Sequence, residues 1–105
     1  MDKKMNTTID FEFYDGSKAK MTLTFYALYQ LKAKNKALYG RYTKVMASTM
    51  GGNYDELEML TILYAAYLCA NPKDPMTEEE FLIKCGSDRV AIANAVGALI
   101  NPKKA

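Results

Sequence analysis

The sequence predicts an α+β, mainly α fold, in which an N-terminal β-hairpin packs on a cluster of about four helices. Three observations carry that prediction. Residues 7–25 alternate apolar and polar side chains on either side of Asp15-Gly16-Ser17. From residue 25 onward, apolar residues instead recur three and four positions apart, which is the helical period. Breakers then cut this second pattern into segments at Gly51-Gly52, Asn71-Pro72, Gly86 and Asn101-Pro102. With 105 residues, 50% of them hydrophobic and 25% charged, the chain has room for one core, so residues 1–105 read as a single domain. Residues 1–6 and 102–105 are expected to be flexible tails.

In the hairpin, Ile9, Phe11 and Phe13 share one face and Asp10 and Glu12 the other, and Ala19, Met21, Leu23 and Phe25 repeat the apolar face on the return. A two-residue turn would oppose Phe11 to Lys20 and throw apolar onto charged side chains. A three-residue loop at 15–17 opposes Phe13 to Ala19, Phe11 to Met21 and Ile9 to Leu23, and sets Glu12 against Lys20, so both faces agree. Two strands alone are marginal, so helices must cover the apolar face.

The first helix is expected over 25–47, capped by Thr24, with Leu28, Leu31, Asn35, Leu38, Tyr42 and Val45 along one seam. Asn35 is the polar member of that seam, suited to fixing register or to a hydrogen bond inside the domain. Gly51-Gly52 ends the segment, and Asn53 with Glu56 reads as a capping box opening a second helix to residue 70. Residues 57–70 are apolar on every side, as befits a helix in the middle of the core. Thr77 with Glu80 forms a capping box, and Met76 with Phe81 a hydrophobic staple, for a short third helix ending at Cys85-Gly86. Ser87 or Asp88 caps a fourth, whose packing face is expected at Val90, Ala93, Val96, Gly97 and Ile100.

Composition narrows the chemistry. The chain has no His and no Trp, and its two cysteines, Cys69 and Cys85, stand apart, which removes most catalytic and metal-ligating combinations. No enzymatic activity, catalytic residue, cofactor or metal is expected. Glu78, Glu79 and Glu80 fall in a helical first turn, where the N-terminal dipole favours negative charge, and read as caps. Gly51-Gly52 lacks the lysine and the spacing of a phosphate loop. The first residues show neither an apolar h-region nor a cleavage site, so no signal peptide is expected. The longest uncharged apolar stretch, 59–70, is far shorter than the ~20 residues of a membrane-spanning helix. The thiols read as buried side chains of a reduced cytoplasmic protein.

Charge is segregated. Residues 16–54 carry Lys18, Lys20, Lys32, Lys34, Lys36, Arg41 and Lys44 and no acid, whereas 55–80 carry seven carboxylates against Lys73 alone. Lys32, Lys34, Lys36, Arg41 and Lys44, with Tyr26 and Tyr29 among them, are a candidate basic face for nucleic acid. A solvated face of snorkelling side chains, or a surface meeting acidic partners or other copies of the chain, explains them too. Eight Tyr and seven Met suit an interaction surface or the rim of a small core. The candidate partner-binding residues are Tyr39, Tyr42 and Met46, with Met50 and Met59 as further adaptable contacts.

The succession from Phe25-Tyr-Ala-Leu-Tyr-Gln-Leu-Lys through Asp55-Glu-Leu-Glu-Met-Leu-Thr-Ile-Leu-Tyr to Met76-Thr-Glu-Glu-Glu-Phe and Gly86-Ser-Asp-Arg resembles bacteriophage and prophage tail assembly chaperones. The likeness covers about 20–102 and consists of helix starts and apolar blocks, with no chemical motif. It implies a non-enzymatic, mainly helical protein of the host cytoplasm that binds the tape-measure protein, helps tail-tube subunits assemble around it, and is not expected in the mature virion. Neither nucleic acid nor a membrane is an expected partner; other copies of the chain are, on the strength of the exposed apolar and tyrosyl surface and the segregated charge. In several such families a frameshift near the end of the gene extends a minority of the product, and Pro102-Lys103-Lys104 is a candidate site for one. The alternative function is a small nucleic-acid-binding or regulatory module using the basic helix 25–47.

Overall fold

A computed structural model describes residues 8–53 and 55–100. The expected tails at 1–6 and 102–105 and the candidate frameshift site at 102–104 lie outside the described residues. Two strands, β1 (Thr8–Glu12) and β2 (Lys18–Thr22), precede five helices: α1 (Phe25–Lys34), α2 (Lys36–Met50), α3 (Glu56–Ala70), α4 (Glu78–Cys85) and α5 (Arg89–Ile100). The α+β, mainly α class is as the sequence predicts.

The strands pair antiparallel with Ile9 opposite Met21, Phe11 opposite Ala19, Asp10 opposite Lys20 and Glu12 opposite Lys18. This register lies two residues from the expected one. The loop does have three residues, but they are 14–16: Phe13 N–H donates to the Ser17 carbonyl at 2.7 Å and Gly16 N–H to the Phe13 carbonyl at 2.9 Å. The cause is local. A three-residue hairpin loop needs its last position left-handed, and here Gly16 takes it at φ 89°; the expected loop would have put Ser17 there. Because the slip is even, every side chain keeps its face, and Phe11, Phe13 and Met21 are all buried.

The helix expected over 25–47 is two helices. Asn35 leaves helical geometry at φ −146°, ψ 77°, ends α1 and caps α2, its side-chain oxygen accepting the Leu38 N–H at 3.1 Å. It is exposed and belongs to no apolar seam. An Asn offers the backbone this alternative bond, which is why it favours caps over helix interiors. The N-cap of α3 is likewise Asp55, which accepts from the Leu57 and Glu58 N–H groups, in place of Asn53.

Helix α3 is the centre of the fold. Its residues Thr61, Ile62, Leu63, Tyr64, Ala65, Ala66 and Tyr67 are buried without interruption, and it packs against β2, α1, α2, α4 and α5. The Asn71 amide after it donates to the Lys20 carbonyl of β2 at 2.9 Å. The predicted capping box of α4 is present in full, and Phe81 in its second turn is entirely buried against the rings of Phe13, Tyr64 and Tyr67. The hairpin loop closes on the end of α4: Tyr14 N–H donates to the Lys84 carbonyl, and Lys84 Nζ bonds Ser17 Oγ and pairs with Asp15. A Cβ on Gly86 would come within 3.0 Å of the Tyr14 Cβ, and its φ of 68° is left-handed, so this contact requires glycine.

Asp88 caps α5 by accepting the Ala91 N–H. The buried face of α5 is Ile92, Ala95, Val96 and Leu99. Of the face expected from sequence only Val96 is buried; Val90, Ala93 and Gly97 are exposed and Ile100 half-buried. Two apolar stripes lie side by side on this helix, and the one that carries Ile92 and Leu99 faces the core.

Candidate functional site

The uncovered stripe of α5 forms one wall of a groove. Along one stretch it faces Thr49 and Met50 of α2 and Met59 of α3, with Ala93, Gly97 and Ile100 opposite, enclosing about 520 Å3. Past Met59 and Ala93, which line both stretches, it continues for about 360 Å3 between Leu57 and Leu60 of α3 and Ser87, Arg89 and Ile92. Its apolar edges are unusually open to water: Met50 is 70% exposed and Leu57 72%. Ala93 and Gly97 share one side of α5 four residues apart and leave the wall low, and a Cβ on Gly97 would meet nothing. One end is charged: Glu56 pairs with Arg89 across the groove, and Asp55 and Asp88 flank them. That hydrogen bond, reinforced by charge, holds the Arg89 pKa above its usual value.

A second exposed apolar surface lies on α1. Only Leu28 and Leu31 of this helix are buried. Its outer side carries Phe25, 89% exposed, with Tyr26 and Tyr29 stacked ring on ring at 6.4 Å and 23°. A solvent-facing helix side is ordinarily polar, and this one is aromatic, with Lys32 and Lys34 in its last turn.

The residues singled out from sequence are dispersed. Tyr42 is in the core, and desolvation first, then Cys69 and Tyr39, pushes its hydroxyl up to about 12. Tyr39 and Met46 are half-buried against the same core, so the trio Tyr39, Tyr42, Met46 offers little free surface. The basic face is also divided. Arg41 is bound bidentately by Glu78, Nη1 to Oε1 at 3.1 Å and Nη2 to Oε2 at 2.7 Å, and Nη2 reaches Thr61 Oγ1 at 3.4 Å. The hydrogen bond from Arg41 holds the Glu78 carboxyl below its usual pKa. Lys32 sits over the Tyr39 ring at 5.6 Å. Lys34 borders a pocket of about 360 Å3 between α1, α3 and the loop before α4. Lys36 and Lys44 are exposed. Of the adaptable methionines, Met50 and Met59 line the same groove.

Leu57, Val90, Ala93 and Gly97 were not anticipated as surface. Their apolar spacing was visible, and it pointed to core. Burial raises both thiols to about 11. Among the described residues no group of three or more His, Cys, Asp or Glu is placed to hold a metal ion, and no helix is long and apolar enough to cross a membrane. Comparison with known protein families, with curated proteins and with solved structures finds no match to this chain.

Proposed function

We propose that this protein is a non-enzymatic tail assembly chaperone of a bacteriophage or prophage, which holds a helical stretch of the tape-measure protein and keeps it available for tail-tube subunits. The observation that carries the reading is the open groove between α5 and the ends of α2 and α3. An amphipathic helix lays its apolar face into such a groove. The methionines at its edge can re-pack around different side chains, which suits a protein that must grip several segments of a long partner and release them. Site of action would be the host cytoplasm during assembly.

The test is a tagged pull-down from a prophage-induced lysate of the native host at low and high salt, with captured species identified by mass spectrometry and nucleic-acid staining. Capture of a very long helical protein or a tube subunit that persists at high salt is the expected result, and Gly97→Arg, which fills the groove, abolishes it. Failure to capture either protein overturns the reading. A nucleic-acid-binding module is favoured by one observation, the exposed Tyr26–Tyr29 stack beside Lys32 and Lys34, since bases stack on such platforms. It predicts captured nucleic acid that is lost steeply as salt rises.

A further inference from the structure

We infer that the groove of one copy is occupied by α1 of a second copy, so that the chain covers its own exposed apolar surfaces by self-association. The two surfaces match in chemistry, in length and in charge. The outer side of α1 presents Phe25, Tyr26 and Tyr29, and the groove offers the low wall of Ala93 and Gly97 facing Met50 and Met59. Ten residues of α1 span about 15 Å and the twelve of α5 about 18 Å.

Charge sets the direction. Lys32 lies in the last turn of α1 on its aromatic side and Lys36 opens α2 two residues after α1 ends; among the described residues neither forms an ion pair. The charged end of the groove has Asp55, Glu56 and Asp88 against Arg89 alone. Lys32 therefore meets the N-terminal end of α5, with Lys36 just beyond it, and the aromatic residues meet Met50 and Ile100. This runs the docked α1 antiparallel to α5, which also sets the negative end of one helix dipole beside the positive end of the other. Complementary charge fixes this orientation over its reverse, while the aromatic side chains supply buried area.

Sedimentation velocity on the purified full chain, across a concentration series at low and high salt, tests this directly. The wild-type mass is expected to rise above that of the monomer with concentration. A reciprocal pair stops at the dimer and one-way docking continues to longer chains; either supports the inference. Gly97→Arg, at an open helical position, and Tyr26→Ser/Tyr29→Ser, on an exposed face, should each remain folded by circular dichroism and each sediment as a monomer. Mixed together, they restore association, because one retains α1 and the other retains the groove. Lys32→Glu weakens association about tenfold at low salt and less at high salt. A wild-type chain that stays monomeric throughout, variants that associate like the wild type, or a mixture that stays monomeric would each overturn the inference. No tail protein is present in this experiment, so its failure is separate from failure of the chaperone reading. Conversely, Tyr26→Ser/Tyr29→Ser should still capture a partner helix, whereas Gly97→Arg should not.

Discussion

Two tyrosine pairs in this molecule have nearly the same geometry and opposite surroundings. Tyr64 and Tyr67 on α3 stack at 6.0 Å and 22°, and Tyr26 and Tyr29 on α1 stack at 6.4 Å and 23°. The first pair is buried, and both hydroxyls are committed to one residue of the loop before α4: Tyr64 Oη donates to the Met76 carbonyl at 2.8 Å, and Tyr67 Oη accepts the Met76 N–H at 2.9 Å. The second pair stands in water, with only a bond from Gln30 to Tyr26 Oη. Spacing along a helix makes the stack; the elements on the other side decide whether it pins a loop or awaits a partner.

The largest effect should come from removing what the buried pair packs on. Phe81→Ala leaves a cavity beneath both rings and should cost about 3–5 kcal/mol, a large fraction of a domain's ordinary stability; urea unfolding monitored by circular dichroism measures it. Next, Tyr67→Phe strands the Met76 N–H and should cost about 1–3 kcal/mol, with faster hydrogen exchange at that amide. Tyr26→Phe and Tyr29→Phe should each stay within about 0.5 kcal/mol of wild type. Equal losses at Tyr67 and Tyr29 would break the comparison.

Asn35→Ala removes the N-cap of α2 and should cost about 1 kcal/mol. A stable variant with greater helicity would mean that α1 and α2 fuse into the single helix that the pattern of apolar residues suggests. Glu78→Gln tests the pair that binds α2 to α4. The pair is half-exposed, with side chains 51% and 34% accessible, so its loss should amount to about 1 kcal/mol or less. Its pH dependence has a definite sign. The Glu78 carboxyl is held below its usual 4.5 by the bond from Arg41, so its contribution is complete above about pH 4.5 and fades as pH falls through the lower native value. The wild-type advantage over Glu78→Gln, read from urea midpoints, should shrink below that pH. The smallest effect is kinetic: with both thiols raised to about 11 by burial, alkylation near neutral pH should be far slower in the folded than in the unfolded chain.

Much of the architecture was legible in residue order because its signals are short-range. Alternation assigned the faces of both strands, and parity protected that assignment when the loop moved by one residue. Unbroken apolar character singled out α3 as the central helix, and Thr77 with Glu80 marked the start of α4 through bonds made within four residues. The split at Asn35 was legible in principle, since Asn caps helices well, but the apolar seam on either side of it masked the signal. The candidate site was much less visible. Helical spacing showed that α5 had apolar stripes and that α2 had tyrosines and cations. It could not show that Val90, Ala93 and Gly97 face water while Ile92 and Leu99 face α3, that Tyr42 is buried, or that Glu78, thirty-seven residues along the chain, takes up Arg41. Alternation, capping and breaking are properties of a few neighbouring residues, so the sequence by itself determined them. Burial and pairing depend on which element lies opposite, and only the packing of four helices and a hairpin around α3 decided those.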